Sequence, residues 1–117
     1  MTPLGDAKGI LLRDIIAANL RPDKRRLVVE IGAYCGYSAV LLSSILEPDD
    51  VILSIETDSN CVEWTKTIVN LAEVTNHHIF HGNVESSLPY VRDTLTRLNK
   101  DGNTQYIYDD MILPVQF

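Results

Sequence analysis

Four short apolar runs, Leu27–Ile31, Val51–Glu56, His78–His81 and Gln105–Tyr108, are separated by segments with helical periodicity. Parallel strands need a crossover between them, usually a helix, so this alternation predicts a doubly wound α/β sheet of about four parallel strands. The strand runs are almost continuously apolar, as expected when both faces of a sheet are covered. A first helix opens at Gly5-Asp6, carries Leu11, Leu12, Ile15 and Ile16 at one-turn spacing, and stops at Leu20-Arg21-Pro22-Asp23, because the residue before a proline is pushed out of the helical region. The second helix is expected over Ser38–Leu46 and the fourth over Val84–Leu98. Asn60 with Glu63 three residues on resembles a capping box for the third helix, whose apolar face reads Cys61, Trp64, Ile68, Leu71 and Ala72. Trp64 and the tyrosines read as core or half-buried positions.

The chain of 117 residues corresponds to one domain, residues 1–117, or to part of a larger one. The fourth strand has no predicted neighbour on one edge, and Ile107 lies there between two tyrosines. An open apolar edge recruits further sequence or another chain, so self-association through this strand is expected. Sixteen acids against ten bases give a net charge of −6, which argues against nucleic acid or an anionic membrane as partner. No apolar run approaches the length of about 20 residues that a membrane span needs. The start, Met-Thr-Pro-Leu-Gly-Asp, lacks the basic and apolar regions of a secretory signal. A cytoplasmic location with Cys35 and Cys61 as reduced thiols is therefore expected.

Open α/β sheets bind ligands beyond the carboxyl ends of their strands. The turn after the first strand, Gly32-Ala33-Tyr34-Cys35-Gly36, has G-x-x-x-G spacing rather than the G-x-G-x-x-G of a pyrophosphate site. Such a turn serves either a ligand or tight packing. Glu56 ends the second strand, where a carboxylate accepts hydrogen bonds from both ribose hydroxyls of an adenosine-type ligand or is simply a solvated acid. After the third strand, Gly82-Asn83-Val84-Glu85 reads equally as the edge of an adenine pocket or as a helix start with an acid in its first turn. His77, His78 and His81 are not spaced as metal ligands, since strand alternation points His78 and His81 apart.

Two blocks, Gly5-Asp6-Ala7-Lys8-Gly9 and Val28-Val29-Glu30-Ile31-Gly32-Ala33-Tyr34-Cys35-Gly36-Tyr37-Ser38-Ala39-Val40, closely resemble the catechol O-methyltransferase family in order and separation. The resemblance continues more weakly through Glu56, Gly82 and Pro89 to about Asp109, and covers about half of a typical member. It implies a Rossmann-like class I methyltransferase fold, of which this chain is the N-terminal half, with S-adenosylmethionine as cofactor and a catechol hydroxyl as methyl acceptor. By resemblance, Gly32 and Ser38 hold the two ends of the methionine part, the backbone of Leu4 assists, and Tyr34 packs beside the methionine chain. Glu56 takes the ribose hydroxyls and Thr57 follows along the adenine. Val84 and Glu85 stand where the family usually has serine and glutamine, which removes a hydroxyl and keeps an acceptor.

The family also uses Mg²⁺, and Asp109 matches the first of its three ligands. The residues that follow, Asp110, Met111 and Ile112, replace the family's histidine, tryptophan and lysine, so neither the expected base nor the aromatic wall is present. The resemblance thus implies a truncated member that keeps cofactor-site residues, lacks the catalytic half and has negligible activity alone. The alternative is a catalytically silent cofactor-binding module or a truncated form that binds a partner.

Overall fold

The computed structural model describes residues 13–33 and 36–109, the last two by backbone alone. Residues 13–19 are helical (α1), followed by β1 (Arg25–Ile31), α2 (Tyr37–Ser43), β2 (Val51–Glu56), α3 (Ser59–Leu71), β3 (His77–His81), α4 (Val84–Leu98) and β4 (Thr104–Asp109). The strands form one sheet of order β3-β2-β1-β4, and every pair is parallel. The predicted α/β architecture is present. β1 starts two residues earlier than expected, and α2 ends at Ser43 rather than Leu46.

Alternation along the central strands divides the core in two. Val28 and Ile52 face Ile16 of α1, Ala39 and Leu42 of α2, and Val69 of α3. Leu27, Val29, Leu53 and Ile55 face the other way, towards Val91, Leu95 and Leu98 of α4. Helices therefore cover both faces, which is why β1 and β2 tolerate apolar side chains at nearly every position.

The expectation for α3 needs correction in two respects. Its N-cap is Asp58, whose carboxylate accepts from the amides of Asn60 and Cys61 at 2.8 and 3.1 Å, and not Asn60. Its buried residues are Val62, Thr65 and Val69, while Trp64 and Leu71 are exposed. The glycine turn approaches this helix closely. Gly36, at φ 90°, lies so near α3 that a Cβ there would stand 3.1 Å from Ile68 Cβ and 3.4 Å from Thr65 Cα. The helix presents Thr65 and Ile68 to this contact, and the bulkier Trp64 turns outward. Thr65 is buried without penalty because its hydroxyl donates to Cys61 O at 2.7 Å.

The opposite end of the sheet is held by a buried ion pair. Arg26 Nε lies 3.1 Å from Asp50 Oδ2, though without hydrogen-bond alignment, and both side chains are more than nine-tenths buried. Asp50 also accepts from the amides of Arg26 and Glu47, and Arg26 Nη1 donates to the carbonyls of Arg21 and Lys24. Removing one member leaves the other buried without its counter-charge, which costs about 3–5 kcal/mol. Asp50→Ala is accordingly expected to lower the urea-unfolding free energy by that amount. Asp50→Asn, which keeps one acceptor, is expected to cost less; equal stability of all three proteins would contradict this role.

Candidate cofactor site at the carboxyl edge of the sheet

The chain runs from β1 outward through β2 to β3 and then returns to lay β4 on the other side of β1. The order therefore reverses between β1 and β4, the place where open α/β sheets bind ligands. Three turns meet at that carboxyl edge. Gly32, in the left-handed region at φ 84°, donates its amide to Ile55 O at 2.8 Å, and Gly82 donates to Glu56 O at 2.8 Å. The turns after β1 and β3 are thus both tied to the end of β2.

Glu56 is the centre of this arrangement. Its Oε1 accepts from the Ala33 amide at 3.0 Å and its Oε2 from the Asp58 amide at 2.9 Å. Partial burial raises the pKa of this carboxyl, but the amides of Asp58 and Ala33, the Cys61 thiol and the Thr57 amide outweigh it and leave the pKa below the usual carboxylate value. Glu56 is therefore ionised at neutral pH.

Ala33 is held from both sides. Its carbonyl accepts from the Gly36 amide at 2.9 Å and lies 3.4 Å from Ser38 Oγ. Ser38, buried in the first turn of α2, points its hydroxyl inward to Glu30 Oε2 at 2.5 Å. Ser38 is thus placed beside the turn, with its hydroxyl engaged by the protein and only its backbone directed along the helix start. Thr57 is exposed, and its carbonyl is 3.1 Å from His81 Nε2. Val84 is half-buried and Glu85 exposed in the first turn of α4, behind the cap in which Asn83 and Ser86 bond each other's backbone amides. Asp109 occupies the β4 position in register with Glu30. Leu4, Tyr34 and Cys35 lie outside the described residues, as does the segment from Asp110 onward.

Sequence reasoning missed three polar residues inside the sheet. Glu30 and Ser54 are fully buried and face each other across β1 and β2, with the Ser54 hydroxyl donating to Glu30 Oε1. His77 Nε2 is 2.7 Å from Ser54 Oγ. The available signal was a glutamate and a serine interrupting otherwise apolar strands, since buried polar groups must be paired. The three histidines diverge: His77 meets Ser54, His81 meets Thr57, and His78 lines a cavity on the other sheet face. Among the described residues no three His, Cys, Asp or Glu side chains converge as metal ligands.

Sheet order, left-handed glycine turn and strand-end carboxylate together define a Rossmann-like doubly wound domain. The sequence profile of one family, described as O-methyltransferase, matches residues 13–111. The chain belongs to that family. Catechol O-methyltransferase of Mus musculus is 31% identical over 117 residues, which cover 94% of this chain and 43% of the mouse protein. Transmembrane O-methyltransferase of Homo sapiens is 27% identical over 94 residues, 79% of this chain and 31% of the human one. The chain thus spans less than half the length of these curated relatives. Among solved structures, the O-methyltransferase TomG from Streptomyces achromogenes in complex with SAM superposes with a TM-score of 0.61 at 27% identity, over 72% of this chain and 36% of TomG. An O-methyltransferase from Bacillus cereus in complex with SAH gives 0.63 at 18% identity, over 80% and 40% of the two chains, and at that identity speaks for the fold alone. These neighbours establish the expected class I methyltransferase fold. Among the described residues no helix is long and apolar enough to cross a membrane.

His77 provides a test of the buried polar line. Burial first, and the neighbouring His78 second, lower its pKa from 6.5 to about 4. Between these values the unfolded chain binds a proton at this residue that the folded chain refuses, so the His77 contribution to stability is constant above about pH 6.5 and is lost as pH drops towards 4. The loss amounts to roughly 3 kcal/mol at most. Urea-unfolding free energies at pH 7.5 and 4.5 are expected to differ by less in His77→Gln than in the wild type; an equal difference would show that His77 titrates normally.

Proposed function

We propose that this chain is the cofactor-binding part of an S-adenosylmethionine-dependent O-methyltransferase of catechol type. The observation that carries this reading is Glu56, an ionised carboxylate at the end of β2, bound to the Ala33 amide of the glycine turn and, through its backbone carbonyl, to Gly82. Family membership and the names of the relatives support the cofactor and reaction class. The cofactor supplies an electrophilic methyl group on a sulfonium, which an acceptor oxygen attacks from the side opposite the sulfur. Glu56 accepts from the two ribose hydroxyls, and Gly32 and the backbone near Ser38 face the methionine end. Thr57, Val84 and Glu85 border the adenine, with the Glu85 carboxylate as acceptor for its exocyclic amine. Leu4 and Tyr34 complete the methionine side in this proposal. A net charge of −6 favours a sulfonium cation.

The methyl acceptor is proposed to be a catechol hydroxyl, on the strength of the relatives' names. Asp109 is the position assigned to a magnesium ligand by resemblance. A second reading, a silent cofactor-binding module, is favoured by Asp110-Met111-Ile112 standing where the family has its histidine, tryptophan and lysine. Methyl transfer to a catechol by the 117-residue chain alone is proposed to be negligible under either reading. The location proposed is cytoplasmic.

Calorimetry with S-adenosylhomocysteine tests the site. Loss of a charged hydrogen-bonding group costs about 1.5–3 kcal/mol, so Glu56→Ala is expected to weaken binding by roughly 10- to 150-fold, with NAD binding much more weakly than the thioether nucleoside. Equal affinity for NAD, or an unchanged affinity in a folded Glu56→Ala protein, would contradict the assignment. The edge of β4 generates a separate expectation. Among the described residues β4 pairs only with β1, so the chain should associate through this edge at raised concentration. Sedimentation equilibrium should show a mass that rises with concentration; a concentration-independent monomer would contradict it.

A further inference from the structure

We infer that His77, acting through Ser54 and Glu30, is a positioning residue for the glycine turn of the cofactor site. The inference rests on the reading of that turn given above, and its evidence is a continuous line of side-chain hydrogen bonds through the protein interior. Ser38 Oγ donates to Glu30 Oε2 at 2.5 Å, Ser54 Oγ donates to Glu30 Oε1, and Ser54 Oγ lies 2.7 Å from His77 Nε2. The line crosses β1, β2 and β3 on the sheet face that α2 and α3 cover, from the carboxyl edge of the sheet to its outermost described strand.

The direction of each bond follows from the inventory of hydrogens. A serine hydroxyl has one, and that of Ser54 is committed to Glu30. Ser54 must therefore accept from His77, which fixes the imidazole as its Nε2–H form. Ser54 is fully buried, so losing this donor leaves an acceptor that water cannot reach. The Ser54 hydroxyl is then held from one side only, and its hold on the Glu30 carboxylate opposite Ser38 loosens.

The consequence falls on α2 because of how that helix begins. It has seven residues, its N-cap is Gly36, and no side chain caps it. Its start is held by the Gly36 amide on Ala33 O and by Ser38 on Glu30. Ser38 also lies 3.4 Å from Ala33 O, and the Ala33 amide is the group bound by Glu56. A displacement of Glu30 is thus passed to Ser38, to Ala33 and so to the carboxylate proposed to meet the ribose. His77 touches none of the candidate cofactor residues; it acts only through Ser54.

The test uses the whole chain with His77→Val, which removes the donor, and His77→Gln, whose side-chain amide can replace it. Two readouts are recorded: the backbone amide NMR shifts of Gly32, Ala33 and Ser38 without ligand, and the Kd for S-adenosylhomocysteine. The valine variant is expected to move those amides and weaken binding about fivefold, the equivalent of one ordinary hydrogen bond, and glutamine to restore both. Unmoved amides and an unchanged Kd in His77→Val, or a folded His77→Gln that fails to restore either, would overturn the inference. Imidazole ¹⁵N shifts of the wild type at pH 7.5 provide a check that needs no variant: the Nε2–H form is required, and the Nδ1–H form would overturn it. If the wild type binds no S-adenosylhomocysteine, the proposed function fails, while the amide and imidazole signals still decide the role of His77.

Discussion

The amides of Ala33 and Asp58 converge on one carboxylate, Glu56, and the geometry of the candidate site depends on that convergence. A glycine turn after a strand has many available conformations. Fixing the Ala33 amide on an acid of the adjacent strand selects one of them and at the same time keeps that acid ionised. The second amide sets the extended conformation of Asp58, the cap of α3. A single residue thereby orders the turn before α2 and the start of α3 through its side chain and, through its backbone carbonyl, the turn before α4.

The sheet makes this possible. Because β1 lies between β2 and β4, its carboxyl end is flanked on both sides by strand ends that run the same way. Parallel alignment brings Gly32, Glu56, Gly82 and Asp109 to one edge, although they are far apart in sequence. The ion pair of Arg26 and Asp50 and the bonds of Gln105 to the Arg21 amide and the Asn19 carbonyl lie at the other edge, where the chain enters the strands. Structural polar groups and candidate ligand groups are therefore separated along the strand direction.

The parallel sheet and its four strands were legible because continuous apolar runs alternating with helices leave few other arrangements; the strand order was not read from the sequence. Glu56 was legible because its distance from the glycine turn places it at a strand end. The orientation of α3 was legible only in part: of Cys61, Trp64, Ile68, Leu71 and Ala72, Cys61 and Ile68 are half-buried, whereas the fully buried residues are Val62, Thr65 and Val69, which pack on strands and a glycine turn that no local pattern records. The cap at Asp58 was obscured by Asn60, a residue equally suited to capping in isolation. Glu30, Ser54 and His77 were hidden for a different reason. Each is unremarkable in its own segment, and they become one chain of hydrogen bonds only after three strands are placed in register.

The central claim is that the carboxyl edge around Glu56 receives an adenosine bearing a sulfur-linked amino acid. It is tested most directly by titrating S-adenosylhomocysteine into the ¹⁵N-labelled chain and mapping the amide signals that move. The account predicts the largest changes at Gly32, Ala33, Ser38, Glu56, Thr57 and the Gly82–Glu85 turn. Changes centred instead on Val51, Leu53, Thr94 and Leu98, which line the cavity beneath α4, would contradict it, as would a spectrum that does not change at all.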